Sequence, residues 1–392
     1  MRVTVSRVLS EMNCCARCVL RLLGERNISL YGNPEQTDVK RTCVACLGIL
    51  EKSNQNTYIY KIQSSVKASE HQFENFMFTI SLPHSIILRQ VWFLRADNIS
   101  KLLNFSCLLI AVNFGLNLSF RVANCPPDSP QSPSELSEIT CAHDSIYVAG
   151  RYNKYSRVLS QTPWLINNVR RCESSVQEKI CDRITAKIKP DDHKFASAGR
   201  EDIDVRMLGN GRPFLVELIN PRVTYLSEQF FTDLQREINS SSEDVAIRDL
   251  QQVTKEQCLV LKDAETNKTK TYKALIWTEE EVSEEQLHKL ADMKDVKIFQ
   301  KTPLRVLHRR PLAVRERCVY SMTPERLDSH SFNLFLKTQA GTYVKEFVHG
   351  DFGRTKPNLG NLLNSETDIL QLDVEVGGEI LSKTALAVYM GY

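Results

Sequence analysis

The 392 residues hold no uninterrupted apolar run of membrane-spanning length, no internal repeat and no long low-complexity tract. The nearest approach to a span, Leu102 to Phe120, is broken by Asn104, Ser106, Asn113, Gly115 and Asn117, so it reads as buried core and no membrane contact is expected. The opening MRVTVSRVLSEMNCC lacks the charged-then-apolar pattern of a secretory signal. Twelve cysteines would be costly to leave unpaired in an oxidising compartment, so an intracellular, reduced protein of the nucleus or cytoplasm is expected. An excess of one charge is also missing: 50 cations against 47 anions leave +3, too little to argue for a polyanionic partner by itself. No GxGxxG follows a strand and opens a helix, which excludes a dinucleotide site at GNGRPF.

What is present falls into two parts. The four prolines of CPPDSPQSPS, Cys125 to Ser134, sustain neither helix nor central strand. They predict a linker over 125–140 between a smaller domain, 1–124, and a larger one, 141–392. In the larger part IYVAGRYNKYSR begins as a strand, and SSVQEKICDRITAKI carries Val176, Ile180, Ile184 and Ile188 at helical spacing. Asn210-Gly211 between DVRML and PFLVELI predicts a hairpin. SEQFFTDLQREI and SEEQLHKLADM read as helices, the second with a capping box between Ser283 and Gln286, while YKALIW and FNLFL read as strands. In GTYVKEFVHGDFG, Val344, Phe347 and Val348 form one helical face. Strands and helices alternate without a regular βαβ rhythm, which predicts an α+β fold with a mixed or antiparallel sheet. In the smaller part Leu20 to Leu23 suggest a short helix and FMFTISL, Phe76 to Leu82, a strand.

Two Cys-x-x-Cys pairs, Cys15 with Cys18 and Cys43 with Cys46, stand twenty-four residues apart. Two turns at that spacing can bring four thiolates around one tetrahedral zinc, and only Cys15, not Cys14, gives the two-residue gap. No thioredoxin-like βαβ context surrounds either pair, so a structural metal is expected rather than a redox pair.

Three segments of the larger part carry reactive side chains: Arg200-Glu201-Asp202 at a strand edge, Thr271-Tyr272-Lys273, and Gly341-Thr342-Tyr343-Val344-Lys345. Asp202 can add to an electrophilic carbon or take a proton if a cation such as Lys345 keeps it ionised. Tyr272 offers a ring to stack and a hydroxyl to exchange a proton. Asp204 would share a face with Asp202 by strand alternation, Ile203 would point to the core, and Arg206 would be a local counter-ion. Basic clusters at RYNKYSR (Arg151 to Arg157), NVRR (Asn168 to Arg171) and RVLHRRPLAVRER (Arg305 to Arg317) read as phosphate contacts.

Together AGREDIDVRMLGNGRPF, KTYKALIW, QKTPLRVLHRRPLAVRER and QAGTYVKEFVHGDFGRTKPN resemble the tRNA pseudouridine synthase family of the tenth type, found in archaea and eukaryotes, from about Cys141 to Val376. In the smaller domain the cysteine pairs resemble that family's zinc-bearing RNA-binding domain with its THUMP-like α/β part. The stretch from about Ala96 to Ala123 does not, so the domain reads as shortened. The resemblance implies cofactor-free isomerisation of uridine in tRNA, at position 55 or 54 of the T arm, with a structural zinc as the one bound metal. It implies Asp202 as the nucleophile or base, preceded by Arg200 in an Arg-x-Asp pattern, Tyr272 stacked on the target base and Lys345 paired with Asp202. It sets Arg206 and Tyr343 near the substrate, Arg309, Arg310 and Arg315 on a long RNA-gripping hairpin, and Leu370 over the base. A noncatalytic RNA-binding scaffold that retains the fold is the alternative.

Overall fold

Cys15 stands at the N-cap position of the helix that follows it, in extended backbone and without a side-chain cap bond. The structure is a computed structural model that describes residues 2–32, 41–82, 86, 89, 93, 130–258, 269–308 and 310–376, and the chain divides into Met1–Ala142 and His143–Tyr392. The first unit contains α1 (Arg2–Glu11), α2 (Ala16–Leu22), α3 (Ser29–Gly32) and α4 (Lys52–Ala68). Val5, Leu9, Val19, Leu22 and the cysteines form its core. The expected helix after the first cysteine pair is α2. The expected strand is not formed: Phe76 to Leu82 has no regular structure, its apolar side chains are exposed, and no strand occurs among the unit's described residues. Period-two alternation without a paired neighbour does not make a strand. Of the proline segment, Ser134 donates its N–H to Leu47 O at 2.7 Å. The Leu102–Phe120 run lies outside the described residues.

The second unit runs β1 (Ile146–Lys154), β2 (Leu165–Ile166), β3 (Val169–Arg170), α5 (Val176–Ile188), β4 (Asp192–Ser197), β5 (Arg206–Ile219), α6 (Glu228–Ser240), β6 (Val245–Val253), β7 (Lys270–Thr278), α7 (Glu284–Asp292), β8 (Lys294–Lys301), a 3-10 turn at Leu304–Val306, β9 (Val314–Arg326), β10 (Ser331–Thr338), α8 (Val344–His349), β11 (Thr355–Lys356), α9 (Leu359–Leu363) and β12 (Thr367–Val376). One sheet of ten described strands has the order β11-β8-β9-β10-β7-β12-β5-β1-β6, with β4 on β5. Every pair in it is antiparallel except β12 with β5, so the sheet is mixed.

The helices form where the apolar spacing demands. Ser175 accepts from Glu178 N to start α5, whose Val176, Ile180, Ile184 and Ile188 are buried. Ser283 and Gln286 form the capping box of α7. In α8, Val344, Phe347 and Val348 face the core.

The Asn-Gly pair does not turn the chain. Residues 206–219 form one continuous strand, with Gly209 at φ 59 and Gly211 at φ 72. Tyr152 faces Arg212 while Lys154 faces Met207, so β5 carries three more residues than β1 over this step and bulges out against it. A Cβ on Gly211 would lie 2.9 Å from Tyr152 O, which requires glycine there. Positive φ suits a hairpin or a bulge equally. Here the displaced Arg206–Gly209 half pairs with β12 instead of folding back on its own strand.

Candidate active site and cysteine cluster

Between β4 and β5 the chain makes a turn, closed by Val205 N donating to Asp202 O at 3.2 Å. Asp202 and Asp204 therefore stand on a turn and not in a strand, and the alternation argument fails. Val205, not Ile203, is the residue buried in the core.

The turn is held from below by cations of RYNKYSR. Lys154 is fully buried and donates to Leu159 O (2.8 Å), Asp202 O (3.0 Å) and Ile203 O (2.8 Å). Burial pushes its pKa down to about 8, against the opposing pull of Glu201, Asp204 and Asp202. Arg157 donates to Asp204 O at 2.9 Å and Leu372 O at 3.0 Å and pairs with Asp373 at 2.6 Å. Arg151 is buried and donates to Gly211 O at 3.2 Å. The cluster expected to contact phosphate thus orders the protein's own backbone. Beside it, Glu201 is buried with Arg212 at 2.9 Å and accepts from Tyr152 Oη at 2.8 and 2.9 Å.

Above the turn the carboxylates meet two cations from distant segments. Arg305, on the 3-10 turn between β8 and β9, donates to Asp202 Oδ2 at 2.8 Å. Its Nε donates to Glu346 Oε1 at 2.6 Å, and Glu346 is buried. Burial would lower the Arg305 pKa, but Glu346 and Asp202 raise it overall. Lys345, beside Glu346 on α8, donates to Asp204 at 2.7 and 2.8 Å and lies 3.6 Å from Asp202 Oδ2. Burial raises the Asp204 carboxyl, but the Lys345 bonds outweigh it and hold it below the usual range. The Asp202 side chain is 30% exposed, so the carboxylate that faces both cations is also open to a substrate.

Several sequence expectations change at this point. Lys345 bonds chiefly to Asp204, and Arg305 is the nearer cation to Asp202. Arg206 forks onto Asp373 at 2.9 and 2.5 Å instead of serving Asp204, because the parallel register sets Arg206 opposite Asp373. Arg200 is exposed and is not among the cations bonded to Asp202. Arg305 and Glu346 were missed. Arg305 was hidden in a basic run, and Glu346 lies on the side of α8 opposite Val344, where apolar spacing gives no sign of burial.

Tyr272 is half-buried, and burial of its phenol pushes its pKa up, opposed by nearby Arg212. Across β7, β12 and β5 the residues Tyr272, Val374 and Met207 stand in one row, so the ring lies beside the start of β5, just after the aspartate turn. Leu370 is 56% exposed at a bulge of β12. It is four residues, about 13 Å, along the strand from Val374, which stands next to Tyr272. Tyr343 exchanges backbone hydrogen bonds with the Gln300 side chain at 2.9 Å each, tying α8 to β8. Arg315, on β9, donates to Thr302 Oγ1 at 3.0 Å, Arg310 is exposed in the β8–β9 connection, and Arg309 lies outside the described residues.

In the first unit the Sγ atoms of Cys15, Cys18, Cys43 and Cys46 lie within 4.8 Å of one another, all four buried. Cys15 and Cys46 sulfurs are 3.8 Å apart, the separation that two ligands at about 2.3 Å give around a tetrahedral zinc. Cys15 N donates to Cys43 Sγ at 3.2 Å and Leu50 N to Cys46 Sγ at 3.4 Å, bonds that favour thiolates. The donor set fits zinc.

Comparison with known proteins follows the same division. The family model "Pus10, C-terminal" matches residues 147–376 and "Eukaryotic Pus10, N-terminal" matches 43–107, which carries the N-terminal likeness past Ala96. The chain is 57% identical over 251 residues to tRNA pseudouridine synthase Pus10 of Homo sapiens, covering 64% of this chain and 47% of the human one. With the Pyrococcus furiosus protein of the same name it is 31% identical over 404 residues, covering 95% and 98%. It spans about half the length of the vertebrate relatives it matches. The Cbf5-Nop10-Gar1 complex aligns loosely, with TM-score 0.31 and 15% identity over 57% of this chain and 47% of the other.

Proposed function

This chain belongs to the Pus10 family, and from that premise we propose that it isomerises uridine to pseudouridine in tRNA, with Asp202 as the reacting carboxylate. The observation that carries the reading is Asp202 itself: a partly open carboxylate facing Arg305 and Lys345, on a turn whose backbone is pinned by Lys154 and Arg157.

In the reaction the C1′–N1 glycosidic bond breaks, the uracil turns, and C1′ bonds to C5, whose proton is then lost while N1 gains one. Atoms and electrons balance within the nucleotide, so no organic cofactor is needed. Asp202 either adds to C1′ or removes a proton from the ribose, and both routes use the same exposed carboxylate. Arg305 and Lys345 steady its charge, and Glu346 keeps Arg305 in place. Tyr272 supports the flipped base, which must leave its stack before C1′ is reachable. Arg310 in the β8–β9 connection and Arg315 on β9 grip the RNA, together with Arg309, the sequence neighbour of Arg310. The substrate is the T arm, at position 55 or 54.

The four cysteines hold a structural zinc that cross-links two turns of the first unit, the family's accessory, THUMP-like RNA-binding domain. No helix of the described residues is long and apolar enough to cross a membrane.

The test is base-resolved pseudouridine mapping of tRNA after incubation with the protein and with Asp202→Ala. Product from the wild type alone is expected. Equal product from both would remove Asp202 from the chemistry, and tRNA binding without product from either would favour a noncatalytic scaffold.

A further inference from the structure

Immediately after α8 the chain makes a full turn of the wrong hand. Gly350, Asp351, Phe352 and Gly353 have φ of 78, 48, 55 and 77°. Left-handed backbone is disfavoured for L-residues and rare for a bulky aromatic, so two non-glycine residues inside such a run are a concentrated strain. It is closed by Thr355 N donating to Gly350 O at 3.1 Å and Arg354 N to Asp351 O at 3.1 Å.

The strain brings no burial. Phe352 is 94% exposed, so its ring contributes nothing to the core. Around it the turn is rigidly fixed. The Asp351 carboxylate, buried, accepts from Leu304 N at 3.3 Å and pairs with Arg354 at 3.4 Å, while Arg354 Nη2 donates to Thr302 O at 2.6 Å. Leu304 precedes Arg305, so the turn is anchored to the segment that carries the cation on Asp202. The exposed flanks are basic. Lys301 donates its backbone N–H to Arg354 O at 3.0 Å, and the Lys356 stem runs past Gly353, 3.7 Å from where a Cβ would stand. Lys356 pairs in register with exposed Phe299.

A strained, wholly exposed aromatic beside two exposed lysines, tied to the active-site scaffold, has the composition of a base-stacking platform with phosphate contacts. We propose that Phe352 stacks on an unpaired nucleobase of the RNA substrate, with Lys301 and Lys356 beside the flanking phosphates. This rests on the reading that the chain acts on RNA.

The experiment measures affinity for a labelled tRNA transcript at fixed salt, thermal melting, and pseudouridine formation for the full chain and three variants. Phe352→Ala weakens binding by about 5- to 150-fold, the range of one lost base stack, and Phe352→Trp restores it. Phe352→Gly weakens binding equally but melts at the same or a higher temperature, because glycine adopts positive φ freely. Stability and affinity moving in opposite directions is a signature that a purely structural Phe352 would not give. Wild-type affinity in both Phe352→Ala and Phe352→Gly overturns the proposal. If pseudouridine forms with equal kcat/KM in wild type and Phe352→Ala, the platform fails and the enzymatic reading stands. If wild type makes no pseudouridine yet Phe352→Ala loses RNA affinity, the enzymatic reading fails and the platform stands.

Discussion

Four thiol sulfurs within 4.8 Å in the first unit and three carboxylates around Arg305 and Lys345 in the second pose the same electrostatic problem. The cysteines come from two short stretches, the first running into α2 at Cys18, and the charge they would carry as ligands is offset, in our proposal, by a metal. Asp202, Asp204 and Glu346 come from segments more than a hundred residues apart and are offset by the protein's own cations. On that proposal the locally built cluster relies on an outside ion, whereas the cluster assembled across a sheet carries its counter-charge within the fold and leaves the Asp202 carboxylate partly open.

Metal removal breaks this comparison most severely. Chelation, or Cys43→Ser, abolishes amide-exchange protection of α1, α2 and α4, since structural zinc supplies about 10–16 kcal/mol in small domains. Retained protection would mean that the chain alone holds the thiols. In the other unit Asp202→Asn lowers turnover by about 10³-fold or more with tRNA affinity kept, measured in single-turnover assays. Smaller is the effect of Lys154→Met, which frees the aspartate turn: kcat falls about 10- to 100-fold while KM changes little. Its pH signature is separate. Burial sets the folded Lys154 at about 8 against 10.5 for an ordinary lysine. Between those values the unfolded chain binds more protons, so Lys154 makes stability rise with pH from about 8 to 10.5. Denaturant titrations of Lys154→Met lose that rise. Least is Asp204→Asn, within about fivefold in turnover, because Lys345 already lies 3.6 Å from Asp202 and is released towards it. A larger loss for Asp204→Asn than for Asp202→Asn would exchange the two roles.

The same contrast governs what could be read from sequence. Cys-x-x-Cys spacing is local, so the cluster could be named down to Cys15 over Cys14. The helical and strand periods of α5, α7, α8, β1, β7 and β10 are local too, and they form as expected. Arg305 with Asp202 is a contact across 103 residues, and Arg206 with Asp373 one across 167, each set by strand order that no single segment encodes. Lys154 illustrates a further limit: a lysine amid arginines and tyrosines reads as surface, and only the folded chain brings it three carbonyls in need of a donor, those of Asp202 and Ile203 on the turn and that of Leu159. Phe76 to Leu82 errs in the other direction, with strand-like alternation and no neighbour to pair with. At Asn210-Gly211 positive φ was expected at both residues; Gly211 has it, but the second such residue is Gly209 and not Asn210, and whether the chain turns or bulges there depended on β12.

That strand has a consequence for how the protein is made. β12 lies between β7 and β5, so the sheet is two open half-sheets until the last described strand inserts. During synthesis both half-sheets wait with bare edges, exposed to mispairing and in need of protection. The aspartate turn gains its Arg157–Leu372 and Arg206–Asp373 ties only then. The site is therefore a product of the final folding step, and a nascent chain stalled before Thr367 would carry every residue of the Asp202 cluster without the frame that aligns them.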